Sequence, residues 1–188
     1  GVSGFELYAS GTLKLNSASD GVTGLALTPR MNWTLATALA NDPDGLLTDL
    51  DILAAVALQV TGSAAIDIGN GALVATVTGV ELNLATMDVT DGTTTLTGAD
   101  ILSFTGTASL FAGVGGSLNG AHTAVVNGTI GFAVNSVSLS LVSATGALTD
   151  GANAGDSYVG VSVALSDAQL IGVSGFELYA SGTLKLNS

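Results

Sequence analysis

Four aspartates, Asp42, Asp44, Asp49 and Asp51, fall within the stretch NDPDGLLTDLD. Hard cations want several carboxylate and carbonyl oxygens gathered on a tight turn, and D-x-D-G supplies part of such a loop. These four are therefore the candidate metal ligands, with calcium as the ion. The distal bidentate glutamate of an EF-hand is missing. Asp88 and Asp91, and then Asp150, Asn153 and Asp156, occupy comparable turns. An ordinary acidic turn accounts for the same residues, because aspartate bonds its own backbone there. No cofactor is required by any motif, and calcium is the one ion the pattern invites.

Catalytic chemistry has little to work with. His122, in NGAHTAV, is the only histidine, and there is no cysteine. A Ser-His-Asp arrangement would rest wholly on that residue, and its surroundings predict an exposed polar loop. Without cysteine there is no disulfide, thiolate metal site or thiol nucleophile. The chain reads as a non-enzyme. Asn32-Trp33-Thr34 and Asn127-Gly128-Thr129 fit the N-glycosylation triplet, a pattern that arises readily by coincidence.

Fifteen acidic residues face three basic ones, giving a formal charge of −12. That sign is wrong for nucleic acid or an anionic membrane, both of which need clustered Lys and Arg. It suits a self-repelling surface or one that recruits divalent cations. No apolar run reaches the ~18 residues of a helical span, so membrane insertion by helices is not expected. Alternating strands and a mean hydropathy of +0.60 also suit an outer-membrane barrel. The scarcity of aromatic and basic residues argues against it.

The elements that must carry these residues are written in period two. Phe5, Leu7, Ala9, Gly11, Leu13 and Leu15 fall on one face; Glu6, Tyr8, Ser10, Thr12 and Lys14 fall on the other. Such alternation predicts a strand with one buried face. Ile52 to Ile68 does the same for longer, with a bend expected at Thr61-Gly62, and Leu110 to Leu118 forms a third case. A second motif shifts the parity by inserting two residues: VTGL (22–25), VTGV (77–80), FTGT (104–107), VNSV (134–137) and VSGF (173–176). A tight hairpin, a corner or a bulge would each leave that mark. The segment 31–40, MNWTLATALA, reads as a strand in preference to a short helix. Trp33 is expected to be partly buried where one unit meets the next. Tyr8, Gln59 and Phe111 are expected on an outward face.

Residues 1–17 and 172–188 are the same string, GVSGFELYASGTLKLNS, so the sequence recurs after 171 residues. Inside that period the landmarks Val22, Val77 and Val134 return at about 57-residue intervals. The division that follows is residues 1–21 as the end of a preceding unit, then 22–76, 77–133 and 134–188, with 172–188 duplicating 1–17. The expected fold is all-β: a continuous narrow antiparallel β-tube or β-solenoid of three ~57-residue pseudo-repeats, or else a flattened β-sandwich.

Runs such as VTGVELNLAT, NGTIGFAVNSVSLSL and GVSGFELYASGTL resemble the tandem repeats of giant bacterial adhesins and extracellular matrix-fibre proteins. The resemblance covers nearly the whole chain. It implies an extracellular or cell-surface location and a role as stalk, filament or matrix component. The GGxGxD calcium repeat of toxin-type proteins is absent. The expected partner is self, through neighbouring repeats or subunits. The other expectation is a calcium-dependent adhesin or carbohydrate-binding repeat that uses the turn loops.

Overall fold

The structure, a computed structural model, describes residues 4–188; residues 1–3, the head of the repeated string, lie outside the described residues. The chain is all-β. Strands β1 (Phe5–Leu15), β2 (Val56–Ile68), β3 (Leu73–Thr90), β4 (Thr95–Val114), β7 (Ile130–Thr145), β8 (Ser157–Ile171) and β9 (Tyr179–Asn187) form one sheet in that spatial order. Every neighbouring pair is antiparallel. Between β4 and β7 a small hairpin, β5 (Ser117–Leu118) with β6 (Val125–Val126), stands apart as its own two-stranded sheet. Strands β1 and β9 are the two edges and do not pair with each other, so the sheet is not a closed barrel.

The register sorts the side chains into two faces. Leu7, Ile66, Ala75, Leu110, Val134 and Ala168 follow one another across one face, as do Leu13, Val60, Leu82, Phe104, Leu141, Val161 and Leu186. Through the middle of the sheet this face carries only Phe, Leu, Ile, Val, Ala and Gly. The alternation in the sequence is realised, and the burial expected from it is only partial: Val134 and Ala168 are buried, while Val60, Ile66, Leu82, Phe104 and Leu141 are half-buried. Among the described residues no second sheet packs across the face, and Leu7, Leu13 and Leu15 are 61%, 69% and 67% exposed.

The opposite face is polar at its centre. Ser10 and Ser63 share a hydrogen bond of 3.1 Å, and Thr12 and Thr61 one of 2.6 Å. Gln59 and Asn83 both donate to Glu81 Oε1, at 3.2 and 2.9 Å. Each end of this face is covered by small clusters. Leu96, Ala99 and Ala144 pack with Val89 and Ile101 at one end. At the other, Val74, Phe111 and Ala133 are fully buried where the hairpin folds back over the strands. The expectation that Phe111 looks outward is corrected here. Alternation assigned its face, but the hairpin that covers that face is a long-range contact.

The two-residue inserts resolve into two kinds of device. VTGV and VNSV lie inside β3 and β7, where the registers slip by one residue between Thr78 and Glu81 and between Val134 and Val137; these are bulges. VTGL closes a turn, with the Gly24 amide donating to Asp20 O at 2.9 Å, and VSGF forms the turn between β8 and β9. FTGT runs straight through β4. The unit boundaries at 76/77 and 133/134 therefore fall inside strands, beside bulges.

Residues 16–55 hold no strand. The segment read as a strand instead contains a short helix, α1 (Trp33–Ala36). Asn32 caps it, its side chain accepting the Leu35 amide at 3.1 Å, which decides the local contest in favour of helix.

Candidate functional site

The site with the most definite geometry is the pair of sheet edges. β1 and β9 carry the same sequence, since Tyr8–Asn16 recurs as Tyr179–Asn187. Six antiparallel steps separate them, so both run in the same direction. Both also aim the same side chains at the apolar face: Leu13 and Leu15 meet Val60 and Leu58, and their counterparts Leu184 and Leu186 meet Val163 and Val161.

Their hydrogen-bonding edges are used in opposite ways. The Asn16 amide donates to Ala57 O at 3.0 Å, so this row of β1 faces β2. At the other edge, Ser188 exchanges both backbone bonds with Val159, at 2.8 and 3.0 Å. In an antiparallel ladder alternate residues face alternate sides. The amide of Asn187, the copy of Asn16, is thus turned toward the unpaired side of β9. One strand sequence shows its left edge occupied in one place and its right edge occupied in the other.

Asn16 belongs to no chemical motif of the sequence. It is 2% exposed. Its Nδ2 donates to Met31 O at 2.9 Å and to Leu53 O at 3.3 Å, and its Oδ1 accepts Trp33 Nε1 at 3.1 Å. The half-buried Trp33 and the 16–55 connection are tied to the end of β1 through this one amide. Lys14 adds a contact, donating to Asp51 O at 2.7 Å and Asp51 Oδ2 at 3.0 Å. The copies Asn187 and Lys185 are exposed. Membership of the repeated string was the only available signal for Asn16.

The four candidate calcium ligands are not brought together. Asp42 is buried and spends both carboxylate oxygens on its own loop, accepting Leu46 N at 3.2 Å and Leu47 N at 2.7 Å. Asp51 is engaged by Lys14. Asp44 and Asp49 are exposed. Among the described residues no three of His, Asp and Glu stand close enough to hold a metal ion. The donor set does not fit calcium: one carboxylate already serves as a turn cap and another as half of an ion pair.

Other acidic turns behave likewise. Asp20 Oδ1 accepts Thr23 N at 2.6 Å, Thr23 Oγ1 at 2.8 Å and Val22 N at 2.9 Å. Bonding to Thr23 holds its carboxyl below the usual range. Asp91 Oδ1 accepts Thr94 N at 2.7 Å and Thr93 N at 2.8 Å, and the Thr94 amide depresses its pKa most. Donors on the charged form favour ionisation.

His122 occupies the loop of the β5–β6 hairpin with φ 55, and there it is half-buried against Tyr8. Tyr8 Oη donates to Glu6 Oε2 at 3.0 Å, and this bond, ahead of desolvation and the Glu6 charge, raises the phenol pKa. No carboxylate or hydroxyl completes a triad with the imidazole among the described residues' hydrogen bonds. Of the two glycosylation triplets, Asn32 is engaged as the α1 cap, and Asn127 Nδ2 donates to Asn135 Oδ1 at 3.3 Å.

No match is found. Comparison with protein-family models, with curated proteins and with solved structures alike returns nothing similar. The chain's own edges, faces and loops are what a functional reading has to stand on. Among the described residues, no helix is long and apolar enough to cross a membrane.

Proposed function

We propose that this chain is a structural repeat of an extracellular filament or giant surface protein, and that it extends by strand continuity between successive repeats. One observation carries the reading. The strand that closes one edge of the sheet is, residue for residue, the strand that opens the other, with the same direction, the same face and the opposite edge free. In a tandem chain β9 then serves as the first strand of the next period and pairs with the next copy of β2.

Unpaired edges ordinarily recruit other chains indiscriminately. Here the right partner is encoded in the repeat, and a charge of −12 opposes lateral clumping. The resemblance to repeats of giant adhesins and matrix fibres points the same way, and an extracellular or cell-surface location is part of the proposal. Whether successive sheets curl into a tube, coil as a solenoid or stack as a sandwich follows from how the apolar face is covered. The calcium-dependent adhesin reading draws less support, because the acidic loop uses its carboxylates internally.

The test is a chain extended by one and by two further periods. Six inter-strand steps lead from β1 to its copy, so each period lengthens the particle by about 29 Å across the strands. Small-angle scattering and electron micrographs should return that constant increment, and Thr183→Pro, on the continuing edge, should abolish it. Beads on flexible linkers, with no fixed increment, would overturn the proposal.

A further inference from the structure

We infer that the apolar face is an interface, and that its occupant is the same face of a second copy of this sheet, giving a two-layer sandwich. The inference goes beyond edge continuity, because it concerns the broad face and holds for a single period.

The argument begins with size. The face spans seven strands and the 11 residues of β1. At ~4.8 Å between strands and ~3.3 Å per residue it covers roughly 1,200 Å². Monomeric proteins seldom leave apolar patches beyond a few hundred Å² open to water. A stable interface needs about 800 Å² from each partner. One face against its twin therefore exceeds the requirement, at the ~10 Å separation of packed sheets.

Chemistry then selects the occupant. A partner of unlike character would be steered by charge or hydrogen bonds, yet the central positions on all seven strands are Phe, Leu, Ile, Val, Ala or Gly. Such a surface is complementary to itself. A bilayer is disfavoured on two grounds. Tyr8, Tyr158 and Tyr179, the three tyrosines of the chain, all point to the opposite face, across from Ala65, Ala144 and Gln169. A lipid-facing band would instead carry them at its rims. The edges of β1 and β9 are also open, and unpaired backbone is not tolerated in hydrocarbon.

The experiment uses the chain as it stands. Light scattering after size exclusion should give a dimer or a higher even assembly. Leu139→Lys, which lies on the face between Gly106 and Val163, should shift it to monomer with strand content retained by circular dichroism. Thr105→Lys, on the polar face beside Ser140, should leave it unchanged. Because the chain lacks cysteine, Leu139→Cys supplies a unique handle, and a short bismaleimide should link two copies through it. A wild-type monomer, or flotation with phosphatidylcholine vesicles in place of dimerisation, overturns the inference. Assembly lost in Thr183→Pro but kept in Leu139→Lys also overturns it, while leaving the filament reading intact.

Discussion

The Tyr8 ring lies flat on the His122 imidazole, with centroids 3.6 Å apart and planes 7° from parallel. The contact joins the first strand of the sheet to a hairpin more than a hundred residues later, where that hairpin crosses the polar face. Its copy, Tyr179, is 71% exposed. Tyr8→Ala should destabilise the chain by about 1 kcal/mol and raise amide exchange in residues 119–124. Tyr179→Ala should stay within about 0.5 kcal/mol. The ultraviolet titration component lost in Tyr8→Phe should ionise above the ordinary tyrosine range of about 10, because the phenol must release its bond to Glu6.

Asn16 and Asn187 are the same residue of the repeat in two settings. Replacing Asn16 by Ala removes the partner of Met31 O, Leu53 O and Trp33 Nε1 in a part-buried setting, at a cost of about 1–3 kcal/mol in a denaturant titration. Asn187→Ala should cost little in this chain. In a chain carrying one more period it should cost as much as Asn16→Ala, since the following connection then closes over it.

Phe111 rests on glycines. Gly113 and Gly131 face each other across β4 and β7, and a Cβ on either would come within 2.9 Å of the Phe111 ring. Phe111→Ala should therefore remove about 3–5 kcal/mol. Gly131→Val should be similarly damaging, because the ring and the Ala112 carbonyl occupy the space. Melting curves of the two variants and the double variant would show strong non-additivity.

Asp42 is a turn cap. Asp42→Ala should cost about 1–3 kcal/mol by leaving the Leu46 and Leu47 amides unpaired. Melting temperatures in millimolar calcium and in chelator should coincide. A clear upward shift with calcium would show that the loop rearranges to bind the ion and would revive the adhesin reading.

Two exposed turns depend on ionised carboxylates. Asp20 and Asp91 have depressed pKa values, so their contribution is complete above the ordinary carboxylate range. It disappears as pH falls through the lowered values. Exchange of the Thr23 and Thr94 amides should accelerate only in that acidic window. Acceleration near neutrality would contradict the assignment.

The strands were legible because period-two patterning survives wherever one face is uniform, as from Phe5 to Leu15. Turn and bulge were not separable at the inserts, because glycine or asparagine serves both and strand pairing decides between them. The helix at Trp33 was hidden in a segment too short for either period to prevail; only the cap at Asn32 broke the tie. Burial misled in two directions. Alternation turns Phe111 outward because its hairpin cover is distant in sequence, and it predicts a cover for the Leu13 face because alternation records amphipathy, not what lies opposite. The aspartates of residues 42–51 are close along the chain, yet their carboxylates turn to different partners.

The number of antiparallel steps from β1 to its copy is six, an even number. Gain or loss of a whole period by recombination therefore leaves every surviving strand pointing as before, with its greasy and hydrophilic sides unchanged. An odd number of steps would invert alternate copies and bring a β1 edge against one it does not fit. In the tandem chain proposed above, copy number could then drift without a misfolded intermediate, and overall reach would become a trait that selection adjusts in uniform steps.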